Sequence, residues 1–280
     1  MKKYAYFNGK VVLEKDVRID FNDLGFVRGY GVFEAIKTVN RKPFLLKEHF
    51  ERLQKSAIEL NLKLDMGWRE FSETINDLLW KNQIEKDVAI KVVLTGGVSS
   101  NGLKMDGVPT FLITLKDLSV VTPAEELYQT GVGIILTEFQ RYLPEIKTLN
   151  YITAIQNQKR KETENALEIV YHWEGFLLEG ATGNIFIVKN NRVITPKEDI
   201  LPGTVRNFVI ELLRENGTTV EMRKVKLSEL FEADEVFLTG TFKNILPVTE
   251  IEGEKAAGGR VGKKTKEIMK LFKNESKKVV

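Results

Sequence analysis

Four times between residues 131 and 240 the chain returns to a short run of β-branched and aliphatic residues: GVGIILT, LEIVYH, NIFIVK and EVFLTG. Runs of this length and composition read as strands. Two stretches with helical spacing, 151–164 and 205–215, fall among them, and no run leads into the G-x-G-x-x-G helix start of a dinucleotide-binding crossover. A doubly wound parallel sheet is therefore disfavoured, and a mixed α and β domain is expected.

The first part of the chain has a similar mixture. YAYFNGKVVL at 4–13 reads as two short strands around Asn8-Gly9, a pair that tolerates the positive φ of a tight hairpin turn. Between 47 and 64, Phe50, Leu53, Ala57 and Leu60 recur at intervals of three and four, which is one face of a helix. Trp68, Phe71, Ile75 and Leu78 repeat the pattern. VAIKVVLT at 88–95 and TFLITLKD at 110–117 read as strands around a Gly/Ser-rich loop. The stretch LSVVTPAEELYQTG mixes proline, small residues and charge between strand-like runs, so it is the linker candidate. The expectation is an α+β chain of two domains: 1–118, a linker at 119–127, and 128–280.

Composition removes several functions. Forty-two basic residues against 39 acidic ones give no reason to invoke nucleic acid or an acidic membrane surface. Without cysteine there are no disulfides and no thiol nucleophile, and the start MKKYAYFNGKVV lacks an apolar run for export, so a cytoplasmic location is expected. No window approaches the roughly 18 apolar residues of a membrane helix. The two histidines, His49 and His172, have no His or Cys neighbour at ligand spacing, so no metal is expected. Small-molecule chemistry is what is left.

Six segments are locally unusual: RGYGVF at 28–33, EHFERL at 48–53, EIKTLNY at 145–151, LLEGATGNIF at 177–186, LPGTVR at 201–206 and ADEVFLTGT at 233–241. In this order they resemble the class IV aminotransferases, the fold-type-IV pyridoxal-phosphate enzymes, and the resemblance covers nearly the whole chain. It implies a two-domain fold like that of the D-amino-acid aminotransferases, pyridoxal 5'-phosphate as cofactor, amino acid and 2-keto acid substrates, and a homodimer.

Lys147 matches the lysine that holds the cofactor covalently. A neutral amine must attack the cofactor aldehyde and later carry a proton between carbon centres, and lysine can do both. Glu179 matches the glutamate that faces the pyridine nitrogen and keeps the ring an electron sink. For the phosphate, the resemblance points to Arg52 and to the helix start after LPG. There Gly203 permits close approach, and the amides of Thr204 and Val205 add to the positive end of the helix. The usual LPGITR reads LPGTVR here, which puts a side-chain hydroxyl contact in doubt and leaves the backbone contacts. Thr241 matches a further phosphate contact, Leu201 a side chain against the ring face, and Tyr151 a group near the ring hydroxyl. Asn184 is a candidate for orienting the Glu179 loop.

Substrate candidates are Arg28, Tyr30 and Phe33 in RGYGVF, with Phe242 beside Thr241. Arg28 and Tyr30 together could supply a forked cation and a phenol to an α-carboxylate; the plainer reading pairs Arg28 with Asp23. Lys147 is followed directly by TLNY, shorter than the K-x-x-G-N-Y of branched-chain enzymes and similar to D-amino-acid transaminases and the lyases. The R-x-H pair of many D-amino-acid enzymes is absent, since the chain has LTGGVSS there. TGT and ILPV are equally at home in branched-chain enzymes. The balance leans to D-amino acids, with L-branched-chain transamination and aminodeoxychorismate lyase chemistry as alternatives.

Overall fold

The computed structural model describes residues 3–279, which gather into two compact units. The first runs to Val121 and also holds Ile146–Asn150; the second comprises Thr122–Glu145 and Tyr151–Lys278.

In the first unit, β1 (Tyr4–Phe7) and β2 (Lys10–Leu13) form the expected hairpin, with Asn8 and Gly9 at φ of 45° and 87°. A short α1 (Leu24–Arg28) begins where the Asp23 carboxylate caps the Gly25 amide. Next come β3 (Gly31–Val39), β4 (Lys42–Pro43), α2 (Leu46–Glu59), α3 (Trp68–Lys81), β5 (Val88–Thr95) and β6 (Phe111–Asp117). The antiparallel sheet runs β2-β1-β6-β5-β3-β4. Phe50, Leu53 and Ala57 from α2 and Phe71, Ile75 and Leu78 from α3 are buried, with the Phe50 and Phe71 ring centroids 5.0 Å apart. The helical periodicity thus marks a real apolar face.

One edge of this sheet explains a departure from the expected domain limits. β4 pairs only with Thr38 and Val39 at the far end of the nine-residue β3. At the near end, Phe33 N–H donates to the Lys147 carbonyl and Leu149 N–H to the Gly31 carbonyl, both at 3.0 Å, with Val32 bridged to Thr148. Edge amides and carbonyls left open by so short a β4 are satisfied by this segment. Lys147, expected in the domain 128–280, therefore belongs to the first unit. The first division, after Val121, falls within the stretch 119–127 expected as linker.

The second unit contains α4 (Leu127–Thr130), β7 (Val132–Glu138), α5 (Ile152–Gln156), α6 (Gln158–Thr163), β8 (Ala166–Trp173), β9 (Phe176–Gly180) and β10 (Asn184–Lys189). β11 (Arg192–Pro196), α7 (Thr204–Glu215), β12 (Val220–Arg223), β13 (Val225–Lys226) and α8 (Leu227–Phe231) follow. The unit closes with β14 (Glu235–Gly240), β15 (Asn244–Ile251), β16 (Glu254–Lys255) and α9 (Lys263–Glu275). The sheet order is β12-β11-β10-β14-β15-β7-β8-β9-β13, with β16 on β15. A Gly180–Gly183 bridge joins β9 to β10 as well, so the sheet curls on itself around Val170, Leu177, Ile185, Ile187, Leu238 and Leu246. Pro247 is tolerated in β15 because pairing with β7 begins only at Val248, where no proline N–H is called for. The helix expected over 151–164 is interrupted at Asn157, where φ of −88° and ψ of 1° leave the α region, and where the backbone and side-chain amides both donate to the Thr153 carbonyl, at 3.2 and 2.9 Å.

Candidate active site

Lys147 is held by its backbone on β3, with a further long contact from its amide to Ser56 Oγ on α2 at 3.4 Å. Its Nζ lies 4.5 Å from the centroid of the Phe33 ring. Both residues were expected at the site, and the first unit brings them together. The ring face attracts an ammonium and so helps to place the amine.

Beside them lies a buried acid. Glu34, the next residue on β3, is fully buried; its Oε1 accepts from Arg52 Nε at 2.7 Å, its Oε2 from Arg52 Nη2 at 2.8 Å, and His49 Nδ1 meets Oε2 at 2.7 Å. Arg52 is thus no exposed helix arginine: its side chain is 9% exposed and its fork is oriented from below. Burial pushes the Glu34 carboxyl up, but Arg52 and His49 outweigh it and hold the acid at about 2. Burial holds the His49 imidazole below its ordinary value, against the pull of Glu34, with Arg52 and Lys147 adding to the lowering.

Of the substrate candidates, Tyr30 donates its phenol hydrogen to the Leu60 carbonyl at 2.7 Å, so the phenol is engaged within its own unit. Arg28 is exposed and donates to the neighbouring Val27 carbonyl. The Asp23 pairing is not formed: Asp23 is buried and accepts from Gly25 N, Thr95 Oγ1 and Thr110 Oγ1. Among the described residues Arg28 has no acidic partner.

The second unit holds the remaining expected residues. Glu179, near the end of β9, is buried; Oε1 accepts from Arg141 Nε at 2.8 Å and Oε2 from the Leu201 amide at 2.9 Å. Arg141 also donates to the Pro144 carbonyl. Asn184, expected to orient the Glu179 loop, braces the other one: its Nδ2 donates to the Leu201 carbonyl at 2.8 Å. The side chain then lies against Gly203, where a Cβ would fall 2.1 Å from Asn184 Oδ1. Glycine is required there by space, not by φ, which is −63°. Because Gly203 has no side chain to cap α7, the helix opens on the amides of Thr204 and Val205, both buried residues.

Thr241 and Phe242 form the half-buried turn after β14. Two residues before Thr241, the buried hydroxyl of Thr239 has no partner among the described residues. Tyr151 caps the start of α5 and adds to the field around Tyr171, whose phenol is raised by burial first and then by Glu168, Tyr151 and Glu179. Arg206 anchors the first turn of α7 by donating to the Pro196 carbonyl at 2.7 Å; burial lowers it to about 10, against Glu179.

Three functional residues escaped sequence reasoning. Glu34 and His49 had a readable signal, since an acid stands where GVFEAIK alternates toward the core and His49 and Arg52 share a helix face three residues apart. Arg141 had none, because RYLPEIK reads as loop.

The family profile for amino-transferase class IV matches residues 31–251. A Methanocaldococcus jannaschii protein named provisionally as a branched-chain-amino-acid aminotransferase is 33% identical over 274 residues, covering 96% of this chain and 95% of its own. The D-alanine aminotransferase of Bacillus licheniformis is 31% identical over 271 residues, with 96% and 95% covered. The crystal structure of the Escherichia coli branched-chain amino acid aminotransferase superposes with a TM-score of 0.90 at 25% identity, covering 98% of this chain and 94% of that one.

Proposed function

This chain belongs to the class IV aminotransferases, and from that premise we propose that it moves the amino group of a D-amino acid to a 2-keto acid such as 2-oxoglutarate in two half-reactions. Class IV aminotransferases use pyridoxal 5'-phosphate, which supplies an aldehyde carbon that carries nitrogen and a ring that withdraws electrons. The residues present fit that group: a buried carboxylate fixed on both oxygens, a glycine cradle ahead of a helix N-terminus, and an orphaned buried hydroxyl beside Thr241. Lys147 would hold it covalently, Glu179 would face its ring nitrogen, and Leu201 would lie against the ring. Arg52, Thr241 and the amides of Thr204 and Val205 would take its phosphate.

The observation that carries this reading is the setting of Glu179. This buried carboxylate accepts from Arg141 on one oxygen and from the Leu201 amide on the other, so it is held in one orientation, as an acceptor facing a protonated pyridine nitrogen must be. Lys147 does the proton work. Its amine would remove the proton from the substrate Cα and return it to the carbon on the other side of the substrate nitrogen. One water would supply the oxygen of the departing keto acid, the nitrogen would stay with the cofactor, and a second keto acid would take it by the reverse path, returning the water.

The D-amino-acid preference is supported by the short KTLNY form and by Arg28, an exposed cation suited to a substrate carboxylate. The 33% relative and the Escherichia coli fold favour the second reading, an L-branched-chain aminotransferase. A panel of D- and L-amino acids, scored by bleaching of the cofactor's colour, separates them. Purified protein should be yellow, and borohydride should fix the cofactor to Lys147. A colourless protein that takes up no pyridoxal 5'-phosphate would sink the proposal, and turnover that releases pyruvate without a keto-acid acceptor would assign it to the lyases. The family also points to a homodimer, which light scattering on the purified protein would test.

A further inference from the structure

Glu168, near the start of β8, is a buried carboxylate that the proposed chemistry leaves unused. Its Oε1 accepts from the Ile169 amide at 3.0 Å; its Oε2 accepts from Thr182 Oγ1 at 2.7 Å and pairs with Lys243 Nζ at 2.6 Å. Lys243 also donates to the Thr182 hydroxyl and, at 3.4 Å, to its carbonyl. The lysine side chain is only 12% exposed, so this is no surface ion pair. Burial pushes the Glu168 carboxyl up, yet Lys243 and Thr182 outweigh it and hold the acid below its ordinary range.

Strand pairing explains why these groups meet. Glu168 lies near the start of β8, Gly180 ends β9, Asn184 begins β10, Gly240 ends β14 and Asn244 begins β15, all at one end of the curled sheet. Two turns come together there: 180–183, which follows Glu179, and 241–243, which carries Thr241. At their glycines the backbones approach too closely for a side chain to fit without displacement. A Cβ on Gly183 would lie 2.4 Å from the Thr239 carbonyl, one on Gly240 would lie 3.2 Å from the Thr182 carbonyl, and one on Gly180 would lie 3.3 Å from Glu168 Cγ. Glycine-rich turns are also costly to order, having the most backbone freedom to lose. A link between them has to come from Thr182, Lys243 and Glu168.

We propose that Lys243, acting through Glu168 and Thr182, is a positioning residue that locks the Thr241 turn onto the Glu179 turn and so sets how tightly the cofactor is held. This rests on the reading of these turns as part of a pyridoxal 5'-phosphate site. The lysine does not touch the reacting atoms; it removes the freedom of two turns before the cofactor arrives, so that binding need not order them.

The test is a titration of apo-protein with pyridoxal 5'-phosphate, followed by absorbance, for the parent, Lys243→Met, Glu168→Gln, the double variant and Lys243→Arg. Lys243→Met should bind about tenfold or more weakly, the scale seen when groups that orient a ligand's own contacts are removed. The double variant should lose no more than about the larger single loss, since both act through one link. Lys243→Arg should restore most of the affinity. Should Lys243→Met fail to fold, Lys243→Gln, which keeps length and polarity without charge, has the same expectation. Unchanged affinity in Lys243→Met, with or without a fall in the apo-protein's melting temperature, overturns the proposal, and so do single losses that add in the double variant. A parent apo-protein that takes up no cofactor breaks the underlying functional reading instead.

Discussion

Glu34 in the first unit and Glu179 in the second are both buried carboxylates gripped by a guanidinium, yet they are held for opposite purposes. Glu34 spends both oxygens on Arg52 and shares one of them with His49, so the acid aims the arginine fork. Glu179 takes Arg141 on one oxygen and the Leu201 amide on the other, so the arginine and the loop aim the acid. Identical residue types become a support in one place and, in the proposed function, a working group in the other. What separates them is the element that brings the cation: a helix packed on the same sheet for Arg52, and the loop after β7 for Arg141.

The sharpest break of that comparison is kinetic. Glu179→Gln should lower kcat by about a hundredfold or more, on the scale of lost general acid-base function, while the protein still takes up cofactor. Glu34→Gln should instead weaken cofactor uptake, with kcat at saturating cofactor close to the parent. Steady-state rates across a range of pyridoxal 5'-phosphate concentrations distinguish the two, and a reversed pattern would exchange the roles assigned here. Next in size is stability. Glu34→Gln strips the charge from a buried pair and should cost about 3 kcal/mol or more, read from urea denaturation of the apo-protein.

A smaller effect is expected at Gly203. Gly203→Ala drives a methyl group into Asn184 Oδ1 and should cost about 1–3 kcal/mol by overpacking, together with weakened binding of inorganic phosphate measured by calorimetry. The smallest effect is the pH dependence. Glu34 is depressed from 4.5 to about 2 on folding, so its contribution is fully present above about pH 4.5 and is lost as pH falls toward 2. His49 is depressed as well, so its contribution is lost in the same direction, beginning as pH falls through the ordinary imidazole range. Urea midpoints measured from pH 7 down to pH 3 should decline, and Glu34→Gln should flatten the acidic part of that curve.

Several elements could be read before any coordinates. Phe50, Leu53 and Ala57 mark the buried face of α2, and Asn8-Gly9 marks the first hairpin, because both patterns act within a few residues. The roles proposed for Glu179 and the LPG turn come from motif context. The break at Asn157 could not be read, because it lies in the backbone dihedrals of one residue, to which the apolar spacing is blind. The partner of Asn184 could not be read either, because it is a carbonyl 17 residues away, at Leu201, whose amide in turn holds Glu179.

By itself, the chain's sequence determined the period of its strands and helices, the absence of thiol chemistry and the lysine proposed as the cofactor's anchor, all local properties of residue type and spacing. Tertiary structure alone decided which carboxylate receives which cation. Glu34 meets Arg52 across 18 residues and Glu179 meets Arg141 across 38, and both meetings depend on how strands and loops are packed. It also decided where Lys147 resides. A two-residue β4 leaves half of β3 open, and unpaired backbone groups there draw in the lysine's segment, because a buried peptide must find its hydrogen bonds.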